Sequence, residues 1–334
     1  MALTVGTGIN QPSALLVNTL SSIAQKLIFP KISDLVFQPS PTFSFLNQYA
    51  KKYSAGAEIV YPLLTTKITT RGSYWGDQLL PTSAIDAIQP ADQVWRGYFQ
   101  ATTLPVMDIV IGRGGPVGLD LVKTYVQAAA GSMLDMLAEA VAGNSPFNSS
   151  TDLDSISSWV LSTTNTIAGI NRTTNTFWQP QPNSAIGGHL TPQKLLIPYF
   201  QATYGYDEPN LLILNNTDFA NFESAFTANS NSAASTTIIR ASDNYADTAP
   251  IQTSFRYHMR FKNAVVLADQ HFPAGTGYLL NTKYIWMIYN MGSFFRMTPW
   301  IMPSNQDVIT SRIHLICQLG SNRPISHIAL TTLS

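Results

Sequence analysis

From Glu58 to Thr70, and again from Gln93 to Ile111, the chain is rich in Val, Ile, Thr, Tyr, Phe and Trp. These side chains favour a pleated, half-buried surface. Gly72, Gly76, Pro81 and Pro90 separate the two runs, so the pattern predicts a long hairpin with a tip of about twenty residues. A two-stranded hairpin is marginal in water. This one needs something to lie on, and if no other part of its own chain covers it, a neighbouring copy must.

The period then changes. Leu119, Val122, Val126, Ala129, Met133, Met136 and Ala140 step by threes and fours, which predicts a helix over 117–142 with one apolar face. Gly112, Arg113, Gly114, Gly115 and Pro116 punctuate its start, and Gly143 with Asn144 its end. At 1.5 Å per residue the helix spans roughly 39 Å, a spine long enough to cross a domain.

Shorter elements follow. A short helix is expected from Leu153, a segment from Gly169 to Trp178, and a helix that opens on Thr191 and Pro192 and ends near Gly205. The strand Leu211 to Leu214, a helix from Asn216 to Phe226 and a polar surface loop from Thr227 to Thr237 come next. Strands are expected over Ala264 to Leu267, Gly277 to Leu280, Tyr284 to Tyr289 and Ser311 to Leu319. In the last, Ile313, Leu315, Cys317 and Leu319 share one face. Residues 1–52 carry Pro12, Pro30, Pro39 and Pro41 among short apolar pieces and read as an extended arm. The fold class is α+β.

Composition adds a constraint. The 334 residues are 45% hydrophobic but only 11% charged, and 19 basic residues balance 19 acidic ones; an ordinary domain is about 25% charged. So few charges protect a free monomer poorly from association, and interface cores are depleted in charge, so much of this surface is expected to be covered by other copies. A low-charge secreted or adhesive protein shares that composition. Zero net charge argues against a dedicated nucleic-acid binder. Cys317 is the only cysteine, which rules out an intrachain disulfide and fits folding in a reducing compartment such as a bacterial cytoplasm. Residues 1–12 do not read as a signal peptide, and Asn290, Arg296 and Pro299 interrupt the most apolar later stretch, so no membrane span is expected.

Candidate chemistry is sparse. The glycines at 112, 114, 115 and 118 lack the spacing of a phosphate cradle. His314 and Cys317 stand three apart, on opposite faces of a strand, so a buried structural cysteine is expected there instead of a metal site. There is no Gly-x-Ser-x-Gly elbow, and His189, His258 and His271 have no neighbouring motif that supplies an orienting carboxylate. Asp152 and Asp154 stand where carboxylates favour the start of a short helix. The sequons at Asn148, Asn171 and Asn215 lack a secretory context. No catalytic, cofactor or metal residue is therefore expected. The candidates that remain are contact residues. Arg71, Tyr74, Trp75 and Asp77 at the hairpin tip form the kind of aromatic and charged cluster that anchors interfaces, or else a self-packed tip. Asp135 and Glu139 are a like-charged i, i+4 pair on the spine, either a solvated face or a contact for basic residues of a neighbour.

The C-terminal third carries a resemblance. Phe261 to Asp269, an apolar run that ends in Asp, is followed by the Pro273-Ala-Gly275 turn and a strand that closes on Leu280-Asn281-Thr282. Asn305-Gln-Asp307 leads into the terminal strand, and Gly320-Ser-Asn-Arg323 ends it; Gly169-Ile-Asn-Arg-Thr173 and Phe177-Trp178 form a second signature. With the order of elements, these resemble the major capsid fold of tailed bacteriophages and herpesviruses, over most of residues 53–334.

The resemblance implies an N-terminal arm (1–52), an extended hairpin or E-loop (53–112) lying over the adjacent subunit, and a peripheral domain with its spine helix (113–150). An axial domain (151–300) and a strand returning to the peripheral domain (301–334) complete it. It further implies a non-enzymatic subunit without cofactor. Such a subunit assembles in the host cytoplasm with copies of itself, as pentamers and hexamers, into a virion head shell. The partners implied are a portal, decoration proteins in members that carry them, and packaged DNA through weak, non-specific contact. Many relatives carry a removable N-terminal scaffolding region of about a hundred residues; none precedes the arm here, so a separate scaffolding protein, or none, is expected. An encapsulin, which encloses an enzyme within the same fold, and a carbohydrate-binding tail or decoration protein are the competing readings.

Overall fold

The computed structural model describes residues 40–54, 56–80, 82, 85–107, 121–145, 150–228 and 259–334. The arm at 1–39, the glycine-rich helix entry, the polar loop from 229 onward and His258 lie outside the described residues.

In chain order the elements are α1 (Pro41–Gln48), β1 (Lys51–Tyr53), β2 (Glu58–Leu64), β3 (Ile88–Val94), β4 (Arg96–Pro105), α2 (Leu121–Ala142) and α3 (Ile156–Val160). Next come β5 (Thr166–Ile167), β6 (Ile170–Asn171), β7 (Ser184–Ala185), α4 (Pro192–Ala202), β8 (Leu211–Leu214) and α5 (Asn216–Ala228). The chain ends with β9 (Met259–Phe261), β10 (Ala264–Ala268), β11 (Gly277–Leu280), β12 (Ile285–Asn290), β13 (Arg296–Met297), β14 (Val308–Ser321) and β15 (Ile328–Thr331).

The residues cluster into two compact units. Of the described residues, the first comprises 100–107, 121–132 and 297–313. Within it the Thr103 and Thr310 hydroxyls lie 3.2 Å apart, the Val106 amide donates to the Asp307 carbonyl, and Ile301 and Thr310 pair through both backbone groups at 2.9 Å.

The second unit holds Pro39–Phe99, Met133–Arg296 and His314–Ser334. Its larger sheet runs β7-β15-β11-β8-β10-β9. All four residues of β8 are buried, as a strand covered on both faces requires. On one face Leu212, Leu214, Val266, Leu279, Ile328 and Leu330 pack with Leu195, Tyr199 and Ala202 of α4 and Phe222 of α5. Strands β8 and β10 are parallel, and α5 lies in the connection between them, the crossover that a parallel pair needs.

In the other sheet β12 pairs parallel with β1 and antiparallel with β14. Most of residues 41–52, expected within an extended arm, thus form a helix and the start of a strand. Pro41 opens α1 behind the Ser40 cap, and Phe43, Phe45 and Leu46 bury its apolar face.

The spine helix ends where the sequence places it: Gly143 adopts φ +86, and a side chain there would overlap the Ser157 hydroxyl. Its inward stripe is shifted, however. Ala129, Met133, Leu137, Ala140 and Val141 are buried, whereas Met136 and Val126 are half-exposed. A step of four after Met133 keeps pace with 3.6 residues per turn better than the step of three expected. On β14 the expected alternation holds, with Ile313, Leu315, Cys317 and Leu319 buried and His314 half-exposed.

Gly320 is where β14 admits the hairpin. A Cβ there would overlap the Tyr61 hydroxyl and lie 2.9 Å from Ile288 Cδ1. Gly320→Ala should therefore force Tyr61 off the sheet and destabilise the subunit by about 1–3 kcal/mol, read as a fall in thermal midpoint. The same substitution combined with Tyr61→Leu should recover part of that loss.

Candidate inter-subunit surfaces

Strands β2 and β3 form the hairpin, paired from Glu58↔Val94 to Leu64↔Ile88. Pro62 and Pro90 stand directly opposite each other, where neither is asked to donate. The second strand starts at Ile88, earlier than the sequence pattern suggested, and β4 leaves the hairpin to pair with β14.

Alternation gives the hairpin two faces. Ile59, Tyr61, Leu63, Ala91 and Gln93 are buried. The Tyr61 hydroxyl donates to Gln93 Oε1 (3.0 Å), and Gln93 Nε2 donates to the Leu319 carbonyl (2.8 Å) and Asp154 Oδ2 (2.5 Å). Gln318 Nε2 donates to the Val94 carbonyl, and the Asp92 amide to that of Ala168. The base of the hairpin therefore rests on its own chain, the first of the two supports the sequence pattern left open. Sequence reasoning could not choose between them because the anchors, Gln93, Asp154 and Gln318, are polar residues distant in sequence.

Asp152 and Asp154 belong to that anchorage instead of to a helix cap. Ser155 caps α3 by accepting from the Ser158 amide, Asp152 Oδ1 accepts from the Tyr98 hydroxyl, and Asp154 ties Gln93 to Gln318. Burial pushes the Asp154 carboxyl above the usual carboxylate range, against the opposing pull of the Gln93 hydrogen bond and of Arg96 and Arg172.

The outer face is different. Val60, Pro62, Leu64, Ile88, Pro90 and Val94 are exposed, so the hairpin is apolar on both sides. At its tip every residue from Arg71 to Leu80 is exposed, with Trp75 at 88% and Leu79 at 99% of full accessibility. The tip candidates Arg71, Tyr74, Trp75 and Asp77 are thus all exposed, and the aromatic rings are not packed away. Exposed apolar surface on this scale is uncommon on a free monomer.

A second such surface escaped the sequence reading. Leu196, Ile197 and Phe200 are exposed on α4, with Tyr204 and Tyr206 just beyond, while Leu195, Pro198, Tyr199 and Ala202 are buried on the other side. Lys262 Nζ sits 3.7 Å from the centroid of the Phe200 ring. The signal was available, since a helix apolar all round needs cover on both faces.

The spine candidates are placed otherwise. Asp135 lies 3.0 Å from His271 Nε2, and Asp269 lies 2.8 Å from Nδ1. His271 thus has the orienting carboxylates that the sequence did not reveal. With both ring nitrogens engaged by carboxylates, and the nearby Ser40 hydroxyl bonded to Asp269 instead of to the ring, the group has no nucleophile–base pair. Burial and the nearby Asp135 raise the Glu139 carboxyl, opposed by His271.

The resemblance motifs acquire physical reasons. Asn210 and Thr282 exchange two hydrogen bonds, and Asn281 Nδ2 donates to the Glu208 carbonyl, closing the Leu-Asn-Thr turn. His327, fully buried, accepts from the Asn281 amide on Nδ1 and so carries its proton on Nε2 toward Ser321. Burial, reinforced by the Arg172 charge, pulls it down to about 3, and it is neutral. The Arg323 guanidinium stacks 3.6 Å from the Tyr204 ring centroid. Among the described residues no cluster of His, Cys, Asp and Glu could hold a metal ion, and no helix is long and apolar enough to cross a membrane.

No family model and no curated protein sequence matches the chain. Solved structures do. A subunit of the cyanophage A-1(L) capsid aligns with a TM-score of 0.67 at 14% identity over 94% of this chain and 98% of its own. The capsid of cyanophage P-SCSP1u aligns at 0.58 and 11% identity over 94% of each chain. The SrpI encapsulin of Synechococcus elongatus aligns at 0.60 and 11% identity over 95% of each. The chain therefore has the tailed-phage major capsid fold, over nearly its full length.

Proposed function

We propose that the protein is the major capsid subunit of a tailed phage, assembling with copies of itself into a closed head shell around double-stranded DNA. On this fold, the observation that carries the reading is the hairpin: anchored at its base, apolar on its outer face, with an exposed aromatic tip. Such a surface has to be covered, and an adjacent copy is the partner that a shell supplies. Residues 58–94 are then the E-loop, α2 the spine of the peripheral domain, and the six-stranded sheet with α4 and α5 the axial domain, so that β15 joins the axial domain and not the peripheral one expected for residues 301–334. The exposed face of α4 would meet its copies around the five-fold and six-fold axes. Scaffolding protein, portal and assembly in the host cytoplasm belong to the same proposal.

Electron microscopy of the purified chain, alone and with its scaffold, should show closed shells or pentameric and hexameric capsomers. Dispersed monomers under every assembly condition would sink the idea. The likeness to an encapsulin favours a second reading, a compartment that encloses an enzyme. Shells recovered from the native host should hold nuclease-protected DNA; a co-purifying protein cargo in place of DNA would favour the compartment.

A further inference from the structure

Ser40, Asp269, His271 and Asp135 form a chain of polar contacts from the start of α1 to the middle of α2. Asp269 Oδ2 accepts from the Ser40 hydroxyl (2.5 Å) and the Thr42 amide (3.3 Å), at the helix end where orphan donors favour an anion. Its Oδ1 takes the amide and Nδ1 of His271 (3.1 and 2.8 Å), and His271 Nε2 reaches Asp135 (3.0 Å). Asp269 and His271 are buried, while the Asp135 side chain is 38% exposed.

We infer that this chain of contacts is a proton-loaded latch that fixes α1 to the spine helix, and that alkali releases it. An imidazole can donate from both nitrogens only as the cation. A neutral ring would leave one of the two carboxylates facing a lone pair.

The charged groups around the ring are Asp269 beside it and Asp135 and Glu139 on α2, all acidic. The Asp269 hydrogen bond, then that of Asp135, holds His271 up at about 9, against the opposing effect of burial. Burial pushes Asp269 up, but the bonds from His271, Ser40 and Thr42 outweigh it and leave it below the usual carboxylate range. Because the histidine value is raised from 6.5, the latch is fully formed below that pH and lost as pH rises through about 9. The depressed Asp269 sets the other limit, in acid.

The latch does not depend on the shell reading, and its failure would leave that reading standing. The test is hydrogen exchange of residues 40–48 in the full chain, corrected for the intrinsic rate, at pH 7 and pH 10. Wild-type protection should fall at least about tenfold between the two, whereas His271→Gln should be low at both. Equal protection at both pH values in the wild type, or the same fall in wild type and variant, would overturn the latch. Should His271→Gln not fold, Asp135→Asn tests the outer contact, which should lower the pH midpoint by about one unit. An unshifted midpoint would also overturn it.

Discussion

Replacing residues 66–86 with an Asn-Gly turn should leave a folded subunit that no longer closes shells. The cut is placed by the hairpin's own pairing. The Thr65 amide donates to the Ala87 carbonyl at 2.9 Å, so the chain is already side by side at that rung, and a two-residue turn can join it. Everything removed is the hairpin tip, including Tyr74, Trp75, Leu79 and Leu80, and none of those side chains is buried. The thermal midpoint should move by no more than a few degrees, consistent with loss of surface alone. Shell formation should be abolished, because buried aromatic anchors carry most of the energy of an interface and here two would be deleted at every copy. A larger deletion through Gln93 would be a poor test. It removes β3 with Ala91 and Gln93, leaves the Asp154 carboxylate with Gln318 Nε2 alone and strands the Tyr61 hydroxyl. Normal shells from the short deletion would mean that the tip is not an assembly element.

The architecture was legible because hydrophobic period speaks for long elements. The hairpin, the spine and the terminal strand each repeat their pattern over several turns or pairs, and the endpoints Gly143, Thr191 and Pro192 are set by local backbone chemistry. What did not show was long-range polar chemistry. The contacts of Asp154 with Gln93 and Gln318, and of Asp135 with His271, join residues 61 to 164 positions apart. No local rule selects one glutamine or aspartate from another until the fold brings a partner to it. The same limit left open whether the hairpin's base is held by its own chain or by a neighbour. The exposed face of α4 was hidden for a different reason: one apolar stripe satisfies a helix assignment, and the second reads as surplus hydrophobicity unless both faces are followed.

Arg172 shows what a sequence motif can hold that neither period nor charge count reveals. It is fully buried, yet none of its hydrogen bonds goes to a carboxylate. Nη1 donates to the carbonyls of Ser158 (3.0 Å) and Ser162 (2.5 Å) and to Asn165 Oδ1 (3.1 Å), and Nη2 to the carbonyl of Trp159 (2.9 Å). The guanidinium thus closes the C-terminal end of α3, where helix carbonyls lack intrahelical donors and cations are favoured. Burial pulls its pKa down to about 10, with Asp154 opposing, so it stays charged at neutral pH. Arg172→Ala should cost about 3–5 kcal/mol, the penalty for buried acceptors left without donors together with the cavity. Arg172→Met separates the two causes. It refills most of the volume but donates nothing, so its loss should approach that of alanine. Arg172→Lys keeps a charge and three donors without the planar fork, and should lie between Met and wild type. Urea unfolding of the dispersed subunits reads all three. A methionine variant as stable as wild type would show that the side chain serves only to fill space.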